Sequence, residues 1–121
     1  MAAPNIVNVT SIYGKTHAAS LSTTVTTDIL TCPSDKVLKI NSIIVSSIDT
    51  SNAADATVQF NDASTGAWHL AKEITVPAKS TLIVLGKDSP IYLEEGDKIR
   101  GGASAISDLQ IIISYEELDD A

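Results

Sequence analysis

The sequence predicts an all-β fold, a single-domain β-sandwich that is jelly-roll-like with about eight strands. Three observations carry that expectation. Apolar residues alternate with period two, the i, i+3, i+4 spacing of an amphipathic helix never persists for three turns, and turn-forming clusters punctuate the chain at short intervals. The chain is 121 residues long, 44% hydrophobic and only 4% aromatic. One core is therefore expected, built from Ile, Val, Leu and Ala, whose β-branched members suit strands because their stiff χ1 costs little there.

Taken in order, residues 1–24 read as an N-terminal strand or arm. Residues 6–13 can form a strand, and Gly14 and a Ser/Thr/Ala run through Thr27 follow. Residues 25–121 read as the sandwich. Cys32-Pro33-Ser34-Asp35 breaks the chain before Ile43, Ile44 and Val45, a strand apolar on both faces. After a turn at Asp49-Thr50-Ser51-Asn52, Ala56, Val58 and Phe60 share one face while Asp55, Thr57, Gln59 and Asn61 share a wet one. The break at residues 61–66 precedes Trp68, Leu70, Ile74 and Val76, where Lys72 intrudes on the apolar face and predicts a bulge or an edge position.

Pro77-Ala78 then separates off Leu82, Ile83, Val84 and Leu85, again apolar on both faces, so a loop or a neighbouring subunit must cover this strand. Lys87-Asp88-Ser89-Pro90 leads to Ile91-Tyr92-Leu93. The run Glu94-Glu95-Gly96-Asp97 reads as a solvated turn in which Gly96 supplies a permissive angle and Asp97 caps local amides. Gly101-Gly102 marks the last break, and Leu109, Ile111, Ile113 and Tyr115 form the closing strand. Residues 116–120 read as an acidic tail that aids solubility.

Charge and cysteine content narrow the function classes. A net charge of −7 with a pI near 4.5 argues against nucleic acid, whose binding needs clustered Lys and Arg, and against an anionic membrane surface. The one cysteine, Cys32, excludes an internal disulfide and reads as a small buried hydrophobe. Residues 1–5 show no basic and apolar pattern of a secretory leader, and no stretch is long enough to span a bilayer. Asn8-Val9-Thr10 matches a glycosylation pattern that has no use without secretion.

No constellation predicts catalysis, so the expectation is not an enzyme, with no cofactor and no metal. His17 and His69 lack partners in any recognisable motif. Glu94/Glu95 and Glu116/Glu117 are adjacent, and adjacent strand residues point to opposite faces, so neither pair converges on a glycosidic bond. Asp49, Asn52 and Asp55 are oxygen donors in one loop, but their spacing is not that of a calcium-binding loop. Of the aromatics, Trp68 and Tyr92 are the candidates for a sugar-stacking platform, with Trp68 weighted toward the core.

The segments Val76-Pro77-Ala78-Lys79-Ser80-Thr81-Leu82-Ile83-Val84-Leu85, Ile91-Tyr92-Leu93-Glu94-Glu95-Gly96-Asp97-Lys98-Ile99-Arg100 and Ile111-Ile112-Ile113-Ser114-Tyr115-Glu116-Glu117 together resemble small all-β virion structural proteins of tailed bacteriophages. The resemblance implies a non-enzymatic building block: a capsid decoration, or cement, protein stabilising contacts between major capsid proteins. It implies a homotrimer on the capsid surface of the virion, made in the host bacterial cytoplasm, with itself and the major capsid protein as partners. The alternative is a tail or fibre component acting as a receptor- or glycan-binding module. The interaction residues expected are Ile6, Val7, Val9, Ile12 and Tyr13 for the arm, and Ile83 and Leu85 for a subunit contact.

Overall fold

The computed structural model describes residues 11–119, so Ile6, Val7 and Val9 lie outside the described residues. Among the described residues nine strands follow one another: β1 (Ser11–Ser20), β2 (Thr27–Thr31), β3 (Lys36–Ser47), β4 (Ala54–Asp62), β5 (Gly66–Val76), β6 (Thr81–Leu85), β7 (Ile91–Leu93), β8 (Lys98–Ala103) and β9 (Leu109–Asp119). One sheet has the order β1-β9-β3-β6, with β7 also paired to β3, and the other the order β2-β8-β4-β5. Every pairing is antiparallel. Successive strands alternate between sheets except at the β4–β5 hairpin and the β6–β7 step, which is the wrapping of a jelly roll. About eight strands are expected from the sequence, the short Ile91–Leu93 among them; the strand not read from the sequence is β2.

The core lies between the sheets. Ile40, Ile43 and Val45 of β3 and Leu109, Ile111 and Ile113 of β9 are fully buried on one side, facing Ala56 and Val58 of β4 and Ile99 of β8 on the other. Leu21, Leu93 and Val76 close the ends, and Cys32 is buried among them. Apolar burial on this scale is the main stabilising term. The aliphatic composition dictates a core with no aromatic ring among its fully buried residues.

Several expectations are corrected. The strand does not stop at Gly14. β1 runs through it and through the small-residue stretch, paired in unbroken register with β9 from Ser11↔Asp119 to Ser20↔Gln110. Residues 116–119 are the end of β9 rather than a tail, and Leu118 is buried there. The supposed wet face of β4 is partly dry, because Thr57 and Gln59 are buried. Trp68 is 58% exposed, not core, because β5 is the edge of its sheet and its register slips between Ala56 and Val58 and again before Gln59. The irregularity foreseen at Lys72 falls at its neighbour Glu73, which has a positive φ of 50°.

The Glu94-Glu95-Gly96-Asp97 turn forms as expected, with Gly96 at φ 87° and the Asp97 amide donating to the Glu94 carbonyl. Its solvation is not as expected, since Asp97 is buried. One carboxylate oxygen accepts from the Glu94 amide at 2.9 Å and the other from the Ala63 amide at 3.0 Å. The side chain thus ties the β7–β8 turn to the β4–β5 hairpin.

Candidate functional site

The outward face of the β1-β9-β3-β6 sheet follows from its register. Ala18 pairs with Ile112, Ile112 with Ile44, and Ile44 with Ile83. Because paired residues share a face, these four make one apolar row across the whole sheet. The row below is Ser20, Gln110, Ser46 and Thr81, and the row above is Thr16, Ser114 and Ser42. None of these eleven residues is charged, in a chain that is 19% charged. Ile44 and Ile112 are half-buried by their neighbours, whereas Ile83, on the edge strand, is 67% exposed. At the opposite edge of the same face a hollow of about 260 Å³ is lined by Ala18, Ala19, Ser20, Gln110 and Ile112.

The structure separates the two residues expected at a subunit contact. Ile83 stands outward, while Leu85 is buried in the core against Ile43. A register shift between Ile43 and Ile44 puts one extra residue, Val84, between them on β6. Ile12 and Tyr13 are exposed on β1. Two-faced apolar strands are the sequence signal that found Ile83. The same signal was available in three consecutive isoleucines, Ile111 to Ile113, where alternation forces the middle one outward.

The outward face of the second sheet is polar and closed on itself. Asp28 accepts from Lys98 Nζ at 2.9 Å and from Arg100 Nε at 2.6 Å. Those hydrogen bonds hold the Asp28 carboxyl below the usual carboxylate range. Gln59 Nε2 lies 3.2 Å from His69 Nε2, and Thr57 Oγ1 accepts from the Glu73 amide at 3.1 Å. The β1–β2 connection straps this face: the Ala103 amide donates to the Ser22 carbonyl at 2.8 Å. A Cβ on Gly102 would stand 2.6 Å from the Val25 Cα.

Where the sheets part, beside β5 and β7, an apolar cleft of about 240 Å³ is lined by Phe60, Trp68, Leu70, Ile91 and Tyr92. It brings together Trp68 and Tyr92, which are 58% and 45% exposed. Trp68 is held by an Nε1 hydrogen bond to Thr65 Oγ1 at 3.1 Å.

The residues screened for chemistry are placed apart. His17 is half-buried on β1 and His69 sits on the other sheet. Asp49 is occupied by the Ser51 and Asn52 amides, which hold its carboxyl below the usual range, while Asp55 accepts from Thr75 Oγ1 at 2.8 Å. Burial pushes the Cys32 thiol up to about 11, so it is protonated at neutral pH and a poor nucleophile. Glu117 pairs with Lys15 at 3.3 Å and Asp119 with Lys36. Among the described residues no group of three or more His, Cys, Asp or Glu is placed to hold a metal ion.

No protein-family model matches the chain, and no curated protein matches it. Among solved structures it is similar to the cryo-EM structure of the giant freshwater prawn Macrobrachium rosenbergii extra small virus (XSV) VLP, with a TM-score of 0.50. Identity is 13%, over 92% of this chain and 80% of that one. At that identity the likeness is one of fold, a two-sheet sandwich spanning nearly the whole chain.

Proposed function

We propose that this chain is a non-enzymatic virion structural protein, a building block that works by contact with other shell subunits. The observation that carries this reading is the set of charge-free central rows on the outer face of the β1-β9-β3-β6 sheet, with Ile83 exposed at the edge, on a jelly roll similar in fold to a viral VLP chain. A monomer gains nothing by leaving a large aliphatic side chain in water beside an apolar row, whereas a repeated subunit gains a contact. Finer still, the resemblance to tailed-phage virion proteins supports a capsid decoration protein that bridges major capsid proteins on the virion surface. The division into an arm at 1–24 and a sandwich at 25–121 belongs to the same reading, with Ile12 and Tyr13 of the arm exposed for contact.

The test is to mix purified protein with isolated tailed-phage capsids and with tails, and to image the particles by cryo-electron microscopy. Regular density on the capsid lattice is the expected result. Shells formed by the protein alone would keep the building-block reading and end the decoration one. Binding to neither, with no self-assembly, would overturn both.

A second reading is favoured by the aromatic cleft. Exposed Trp68 and Tyr92 share one apolar cleft with Phe60, and an aromatic face is what a sugar ring stacks on. As a tail or fibre module the protein would use this cleft to bind a receptor glycan. A glycan array on which Trp68→Ala binds as the parent does, or on which neither binds, would end that reading.

A further inference from the structure

We infer that the outer face of the β1-β9-β3-β6 sheet pairs with the same face of a second copy, about a two-fold axis running along the strands between β9 and β3, so that each Ile83 fills the hollow beside Ala18 of its partner. This deepens the building-block reading by naming the partner and the register of one contact.

The argument starts from the order of the row. Rotation about such an axis exchanges the two edges of the sheet, so β6 of one copy lies over β1 of the other. The most protruding member of the row, Ile83, is at the β6 edge, and the 260 Å³ hollow is at the β1 edge. Knob and hollow therefore meet twice, as an isologous contact requires. Ile44 and Ile112 flank the axis, so Ile44 of each copy lies over Ile112 of the other, and the hydroxyl and amide rows on either side form the rim.

Charge selects a second copy over a basic partner. Each chain carries −7, so two copies repel unless they meet where neither bears charge. The Thr16, Ala18 and Ser20 rows meet that condition. A basic partner would find no carboxylate on these rows to pair with. Area sets the strength. Four strands at about 4.8 Å spacing and three rows at about 6.8 Å give roughly 400 Å² per copy, or about 800 Å² in all. That is below the roughly 1,000 Å² of a stable specific contact, so the pair is expected to be weak in solution, with a Kd of about 100 µM, and reinforced when many subunits assemble.

The experiment is sedimentation equilibrium of the full chain from about 1 µM to 1 mM, a range that brackets the expected Kd. The expected result is a reversible monomer–dimer equilibrium. Ile83→Asp should weaken it by about ten-fold or more without lowering Tm, since Ile83 is exposed. Ala18→Lys, which fills the hollow that receives the partner copy's Ile83, should do the same. Mixing the two variants should restore dimer, because each mixed pair holds one native Ile83–Ala18 contact and one Asp–Lys contact. A monomer at every concentration, a trimer mass, variants that dimerise as the parent does, or a mixture that stays monomeric overturns the proposal. Any of these alongside regular density on capsids would remove this face while leaving the building-block reading in place.

Discussion

The two sheets of this sandwich share one core but treat their outer faces in opposite ways. The β2-β8-β4-β5 sheet covers itself: a strap from the β1–β2 connection lies against Gly102, Asp28 pairs with Lys98 and Arg100, and Gln59 Nε2 meets His69 across the strands. The β1-β9-β3-β6 sheet has no such cover among the described residues over Ile83, and no charge on its central rows. A polar face that is internally paired has little to offer a partner, since displacing its hydrogen bonds returns as much as it takes. An uncharged apolar face loses nothing on contact except water. In the proposed reading, the difference gives one sheet to stability and the other to assembly.

The sharpest way to break that distinction uses one strand. Ile111 faces the core and is fully buried, while its neighbour Ile112 faces out. Ile111→Ala is expected to cost about 2–5 kcal/mol, from lost burial and the cavity left behind. Ile112→Ala is expected to cost about 1 kcal/mol or less in the monomer. Urea denaturation of both variants checks this. Equal losses would mean that the outer face is as much a part of the folded core as the inner one.

The strap comes next. Gly102→Ala places a Cβ within 3 Å of three backbone atoms of Thr24 and Val25, none of which can rotate away. The strap must lift, at a cost of about 1–3 kcal/mol. Hydrogen exchange should then show faster exchange at the Ala103 amide, which donates to Ser22. Unchanged protection there would show that the strap does not hold this face. Asp97→Ala tests the end of the sandwich instead. It leaves the Glu94 and Ala63 amides without their acceptor and is expected to cost about 1–3 kcal/mol by the same denaturation assay. A loss below about 0.5 kcal/mol would show that water replaces the carboxylate there at no cost.

Much of the fold was legible in the sequence, because period-two alternation and turn chemistry are local signals. Gly96, Asp97 and the doubly apolar residues 82–85 could be read for that reason. What escaped was set by register. Whether Ile83 or Leu85 faces out depends on a slip against β3, and Trp68 is exposed because β5 is an edge. Neither fact is encoded within its own strand. The hollow beside Ala18 and the cleft shared by Trp68 and Tyr92 are products of strand order, joining segments far apart in the chain. Gly14 misled for the opposite reason: a glycine marks a break only where nothing pairs with it, and here Glu116 does.

The smallest effect concerns the polar face and acid. Asp28 has its carboxyl held below the usual range by hydrogen bonds from Lys98 and then Arg100. On acidification the unfolded chain therefore takes up this proton first. The contribution is present above the unfolded carboxylate value near pH 4 and is lost as pH falls through the lower folded value. Asp28 is 43% exposed, so screening keeps the effect below about 1 kcal/mol. Asp28→Asn should lower stability slightly at pH 7 and flatten the fall in Tm between about pH 5 and pH 2. The proposed self-association at pH 7 should not change, because Asp28 lies on the sheet opposite the proposed contact. A loss of dimer in Asp28→Asn would erase the division between a stabilising face and an assembling one.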